Sequence, residues 1–278
     1  MSIIFSAIDH SYSSIDGSDN IDWVSVTTLI SHLKKPFDAK KVAERVSKNK
    51  KSKWFGVEPK EIENIWKNEA ERATTLGTFY HNQREDDLCS LASMEREGVT
   101  IPVIPPSGET NGLRYAPSQK LEPGVYPEHM VFLRSAGICG QSDLVEVVNG
   151  KVNIIDYKTN KEIKTESFVN WEGASDKLLA PVDHLDDCNF NHYALQLSIY
   201  MYIILKHNPK LKPGRIFIHH ITFEQEGEDK WGYPIAKTDT EGNPIVKEVI
   251  PIAVPYLVDE VISIMHYLHD NKHKIKKK

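Results

Sequence analysis

Asp143, Asp156 and Lys158 are the residues whose types and spacing point most directly to chemistry in this chain. They lie in the stretch Gly140-Gln141-Ser142-Asp143-Leu144-Val145-Glu146-Val147-Val148-Asn149-Gly150-Lys151-Val152-Asn153-Ile154-Ile155-Asp156-Tyr157-Lys158. Asn149-Gly150 between two apolar, β-branched runs predicts a two-residue hairpin turn, because both residues tolerate the positive φ that the turn requires. If Val148 pairs with Lys151, counting back along both strands sets Asp143 opposite Asp156. Two carboxylates facing each other on one sheet face repel, and a cation between them removes the repulsion. Oxygen ligands in that arrangement suit Mg²⁺ or Mn²⁺. Side chains alternate along a strand, so Lys158 emerges on the same face as Asp156, one step further on. A divalent cation with an ammonium beside it is suited to attack on a phosphodiester.

Those side chains need a sheet and packed helices to hold them. Ser25 or a following threonine caps a short helix ended by Pro36, and a second helix is expected from Lys40 to Ser47. Pro59 opens a third, with Ile62, Ile65, Trp66 and Glu69 at helical spacing, so the first third reads as mainly helical. Residues 77–94 read as the next helix, with His81, Glu85 and Leu88 along one face. The stretch 102–127 is dense in Pro and Gly and reads as an irregular excursion. A strand over 126–133 carries Glu128 near its start. The tight Ser135-Ala136-Gly137 segment joins it to the hairpin, giving a three-stranded antiparallel meander. Residues 168–188, with Trp171, show no periodicity. Asn189 then caps an almost wholly apolar helix to about Lys206, which must be buried against the sheet. Gln196 and Tyr200 share a face of that helix. A strand over 215–223, a hairpin arm around Glu241-Gly242-Asn243-Pro244 and a closing helix over 254–269 complete the chain.

Asp143 followed by Asp156-x-Lys158 resembles the signature of the PD-(D/E)XK nuclease superfamily. Gly77-Thr78-Phe79-Tyr80-His81-Asn82-Gln83-Arg84-Glu85 and Gln196-Leu197-Ser198-Ile199-Tyr200 resemble the flanking motifs of its RecB-like branch. The Ser25-Val26-Thr27 opening with Pro36-Phe37-Asp38 is similar to the N-terminal segment of phage and mitochondrial genome maintenance exonucleases. The resemblance implies an α/β fold with a restriction-endonuclease-like core over residues 77–278, its mixed central sheet flanked by helices. Residues 1–76 would form a helical region able to act as a lid. The resemblance further implies that His81, Asp143, Asp156 and the main-chain carbonyl of Tyr157 ligate the principal metal, and that Lys158 holds the attacking water or the phosphate. Glu128 and Glu85 would support a second cation, one metal with Lys158 being the simpler alternative. Gln196 and Tyr200 would reach toward the nucleic-acid backbone.

The expected function is a Mg²⁺- or Mn²⁺-dependent deoxyribonuclease, an exonuclease on single-stranded DNA or DNA ends in recombination, repair or replication. The alternatives are a structure-specific endonuclease, a nucleic-acid-binding subunit without activity, and a hydrolase of small phosphoesters. The chain has no Gly-rich phosphate loop, so strand separation would fall to a partner helicase or recombination protein.

A net charge of −5 argues against indiscriminate coating of nucleic acid, but the charge is uneven. Lys34, Lys35, Lys40, Lys41, Arg45, Lys48, Lys50, Lys51 and Lys53 face only Asp38 and Glu44. They read as a phosphate-tracking surface or, alternatively, a solvated helix face. Trp54 and Phe55 beside them suit base stacking or a local core. A second lysine cluster, Lys272 to Lys278, reads as a tail. Cys89, Cys139 and Cys188 form no Cys-x-x-Cys pair, which excludes zinc-finger and thioredoxin chemistry, and three thiols do not ligate a four-cysteine iron-sulfur cluster. With no apolar run long enough to span a bilayer and no signal peptide, a cytoplasmic location is expected.

Overall fold

The computed structural model describes residues 3–6, 8–9, 11–15, 21–169 and 173–275; Trp171 and Lys276 to Lys278 lie outside them. In chain order the elements begin with β1 (Ile3–Ser6), β2 (Ser11–Ser14) and β3 (Val24–Ser25), then α1 (Val26–His32), α2 (Ala39–Lys48) and α3 (Pro59–Cys89). β4 (Ser93–Arg96), β5 (Val99–Pro102) and β6 (Leu113–Tyr115) precede the long strands β7 (Gly124–Leu133), β8 (Ile138–Val148) and β9 (Lys151–Lys158). After α4 (Asn189–His207) come β10 (Lys212–Phe223), β11 (Gln225–Glu228), β12 (Pro234–Ala236), β13 (Val246–Val254) and α5 (Val258–Asn271).

The expected hairpin forms, with Asn149 at φ 50° and Gly150 at φ 72° and Val148 paired to Lys151. β7, β8 and β9 make the antiparallel meander. β10 joins β9 in parallel, and β13 joins β10 antiparallel. Parallel neighbours need a crossover, and α4 supplies it between β9 and β10. The result is an α/β fold whose mixed sheet is flanked by helices. On one face α1, α4 and α5 pack against Val145, Val147, Val152 and Ile154; on the other, Tyr80 and Leu88 of α3 meet Leu144, Val148 and Tyr157. That division follows the alternation of side chains along β9 and along β8 from Leu144 to Val148.

Ser25 caps α1 by accepting from the Thr28 amide, and Pro59 opens α3 as expected. Other expectations are corrected. α3 is one helix of 31 residues, continuous through Gly77 and ending at Cys89, so no helix break falls at residues 76 and 77. Burial of Ile62, Tyr80 and Leu88 along its length outweighs the weak helix propensity of Thr74, Thr75 and Gly77. The first third also contains strands, β1 pairing β2 and β6 in a separate small sheet. Cys188, not Asn189, is the N-cap of α4. The Asn189 side chain instead ties down the preceding segment, accepting from the Lys164 amide and donating to the Glu162 carbonyl. Cys89 is only half-buried, whereas Cys139 and Cys188 are enclosed. Among the described residues, no helix is long and apolar enough to cross a membrane.

Candidate metal centre

The ladder between β8 and β9 runs from the turn to Leu144 and Ile155 and stops there. One step further, Asp143 and Asp156 stand where the strands part, and the start of β8 pairs with the short β3 instead. The Asp143 Oδ2 replaces the lost ladder bond by accepting from the Tyr157 amide at 2.7 Å. Asp156 shares strand parity with Val152 and Ile154 and therefore opens toward α4, while Asp143 stands where the alternation of β8 shifts, between Gly140 and Val145, both of which face that side. The Tyr200 ring of α4 sits beneath them against Gly140, where a Cβ would lie 2.6 Å from the ring.

From the other side, α3 brings His81 to the gap. Gly77 lets the helix come close, since a Cβ there would lie 3.3 Å from Thr159 just beyond β9, and His81 is one turn further on the same face. The His81 Nδ1 stands 3.6 Å from Asp143 Oδ1 and 3.8 Å from Glu128 Oε1. Its Nε2 contacts the Tyr157 carbonyl at 3.1 Å. Glu128 reaches the same point from β7, where it interrupts the ladder between Pro127–Leu144 and His129–Ser142. It holds φ 46°, an uncommon value for a side-chain-bearing residue and one that surrounding structure must enforce. His81, Glu128 and Asp143 thus offer three donors within 4.8 Å of one another.

Each donor is held by its free end. The Gln141 amide donates to Glu128 Oε2 at 2.7 Å, leaving Oε1 toward His81. The Tyr157 amide holds one oxygen of Asp143 and its carbonyl faces the imidazole. Supporting contacts of this kind orient ligands in metal sites. Asp156 is paired with Lys158, and beyond that contact its buried Oδ2 has no hydrogen-bond partner. Lys158 also lies over the Tyr193 ring at 4.9 Å.

The cluster carries more negative charge than its surroundings solvate. Burial, reinforced by the Asp143 carboxylate, pushes Asp156 up to about 7 despite Lys158. Burial likewise raises Asp143. Burial pulls His81 down, but Glu128 and Asp143 outweigh it and hold the imidazole at about 9. For Lys158 too, the two aspartates outweigh burial and raise it. Protons are thus drawn to the place where a cation would serve the same purpose. Mostly oxygen donors and one imidazole fit a hard divalent ion.

The expected site residues divide accordingly. His81, Glu128 and Asp143 come together, with Asp156 and Lys158 as an adjoining pair. The Tyr157 carbonyl is present, but it contacts His81 and accepts from Lys158 at 3.4 Å. Glu85 pairs with Arg114 of β6 at 3.3 Å and is not among the three converging donors. Tyr200 is 2 % exposed and receives the Gln196 amide at 3.0 Å, which makes the pair a support under the aspartates. Lys35, Lys40 and Lys41 are exposed and Lys34 half-buried; Lys35 pairs with Asp176. Trp54 belongs to a local core, edge-on to Trp66 and 5.2 Å from Trp231, which pins the segment after α2 to the β11–β12 arm. Phe55 stays exposed. Sequence reasoning missed Gln141 and Tyr193. Gln141 was findable, because it stands two before Asp143 in the same strand.

No family model and no curated protein matches the chain. Among solved structures the chain is similar to the crystal structure of SSO0001, at 11% identity and a TM-score of 0.31, covering 94% of this chain and 79% of that one. A likeness of that degree carries no functional argument.

Proposed function

We propose that the chain is a Mg²⁺- or Mn²⁺-dependent nuclease of the PD-(D/E)XK type, with a restriction-endonuclease-like core, acting as an exonuclease on single-stranded DNA or DNA ends. The observation that carries this reading is the convergence of His81, Glu128 and Asp143 on the gap between β8 and β9, with Asp156 and Lys158 beside it. A hydrolase of small phosphoesters would have no use for the exposed lysines of residues 34–53, which suit a polyanion.

In this reading His81, Glu128, Asp143 and Asp156 hold the ion. When bound, it lowers the pKa of a ligated water and polarises the scissile phosphate. The protein's own groups do the rest. Asp143 and Glu128 each keep one oxygen fixed by a neighbour and present the other, so they need not reorganise during the reaction. Lys158, steadied by Asp156 and the Tyr193 ring, places a positive charge where negative charge builds on the phosphoryl oxygens. Tyr200 and Gln196 exclude water from beneath the aspartates. Strand separation, where needed, falls to a partner helicase or recombination protein.

The test is cleavage of an end-labelled oligonucleotide with Mg²⁺ or Mn²⁺ and with chelator. Wild-type protein is expected to cut only with the ion. Asp156→Asn should leave no detectable cleavage, and Lys158→Ala should lose about 10²- to 10³-fold, the scale of one removed charge-stabilising donor. Lys158→Ala should still bind Mn²⁺, because the lysine is not a ligand. Cleavage indifferent to the ion, or untouched by Asp156→Asn, would overturn the proposal. Linear and covalently closed single strands of one sequence then separate exonuclease from endonuclease.

A further inference from the structure

We propose that the cleft between the end of α1 and the segment preceding α4 is a base-stacking groove for single-stranded nucleic acid, with Phe37 and Phe168 as its platforms. This rests on the nuclease reading and names how that site would grip its substrate. The cleft encloses about 970 Å³, at the upper end of the roughly 300–1,000 Å³ typical of ligand sites. Lys34, Lys35 and Phe37 line it from the α1 side, and Phe168, Asp176 and His192 from the other.

Phe37 is 72 % exposed and Phe168 74 % exposed. Single exposed apolar residues need no explanation, but two bare aromatic rings in one cleft form a feature that water does not favour. Phe37 is pre-positioned, with its ring 6.1 Å from that of Trp66. A flat apolar ring set among charged groups is a poor seat for an apolar peptide, which would have to desolvate those charges. It is a good seat for a base, whose face stacks while its phosphate meets Lys34 at the rim.

The charges agree. The acids of the cleft are already engaged, Asp176 by Lys35 at 3.1 Å and Asp187 by His192 at 2.6 Å. Lys34 makes no ion pair among the described residues and is left for a phosphate. The cleft and the metal centre adjoin along α4: His192 lines the cleft, and the next residue, Tyr193, carries the ring under the Lys158 ammonium. A duplex keeps its bases stacked on one another and offers no face to either ring, so the occupant is a single strand.

The experiment measures binding of fluorescein-labelled oligo(dT) and of an abasic oligonucleotide of equal length, both in chelator so that nothing is cut. Wild-type protein should prefer oligo(dT). Phe37→Ala and Phe168→Ala should each weaken oligo(dT) binding about tenfold and together abolish the preference, with abasic binding little changed, while Phe37→Tyr and Phe168→Tyr should restore it. Lys34→Gln should weaken both oligonucleotides alike and flatten the salt dependence. Circular dichroism checks that each variant is folded. If wild-type protein cuts DNA with Mn²⁺ but the double alanine variant keeps its preference for oligo(dT), the groove is wrong and the nuclease reading stands. If wild-type protein neither cuts nor binds, both fall.

Discussion

From the Asn149-Gly150 turn to Leu144 and Ile155, β8 and β9 are fully paired and built mostly from valine, isoleucine and leucine, whereas one residue beyond they part and carry Asp143, Asp156 and Lys158. The paired half follows the local rules, with a turn at φ values its residues tolerate, mostly β-branched side chains and both faces buried, and its one buried carboxylate, Glu146, is matched by Arg96. The open half breaks several of them at once, with buried like charges, an interrupted ladder and a glutamate at positive φ. Conflicts of this kind are tolerated where they serve a site, and the ordered half carries their cost.

Paired substitutions break the comparison most sharply. Asp143→Asn keeps the shape and the acceptor for the Tyr157 amide while removing a charge that burial already disfavours. Metal-dependent cleavage should fall at least about 10³-fold, which is roughly 4 kcal/mol of lost transition-state stabilisation, with no loss of stability in urea. Ile154→Ala, two residues from Asp156 but within the main core, should do the reverse. It should cost about 2–5 kcal/mol of unfolding free energy and leave cleavage per folded molecule close to wild type. If Asp143→Asn unfolds the protein, or Ile154→Ala destroys activity in folded molecules, the two halves are not separable as described.

The paired half was legible in the sequence because its signals are local. Asn-Gly between β-branched runs fixes the turn, the turn fixes the register, and the register sets Asp143 level with Asp156. Ser25 as a cap and Pro59 as a helix start were legible for the same reason. What the local signals do not carry depends on distant contacts. Glu85 lies one turn beyond His81 and reads as a partner for the metal, yet Arg114 of β6 approaches α3 and takes it. The continuity of α3 through Gly77 depends on packing that no window of sequence contains. Gln196 and Tyr200 share a face of α4 as expected, but the depth of Tyr200 was set by the absent Cβ of Gly140 on β8.

Two histidines at the open end sharpen the comparison through pH. His81 faces carboxylates and is raised, while His129, 3 % exposed, is lowered to about 4 by burial alone. An unfolded histidine takes up its proton near 6.5, so between about 6.5 and 4 the unfolded chain binds the proton and the folded chain does not. Stability from His129 is therefore complete above about 6.5 and lost as pH falls toward 4, on the order of 3 kcal/mol. His129→Leu removes that dependence. In chelator, the stability of wild type relative to His129→Leu should fall by that amount between pH 7 and 4, other titrations cancelling in the difference. Parallel curves would mean that His129 is solvated.

The smallest effect tests whether the open half is held by design or merely left unpaired. Gln141 is half-buried, and its one assigned task is to donate to Glu128 Oε2, leaving Oε1 beside His81. Without it Glu128 keeps its charge but loses its fixed direction. Removing such a supporting contact typically costs 10- to 100-fold in metal affinity or activity, about 1.4–2.7 kcal/mol. Gln141→Ala should therefore raise the Mn²⁺ concentration needed for half-maximal cleavage by that factor and restore most of the rate when Mn²⁺ is saturating. Its urea midpoint should move little, since no core side chain is removed. An unchanged Mn²⁺ requirement would take Glu128 out of the metal centre, and with it the reason for the strained backbone at that residue.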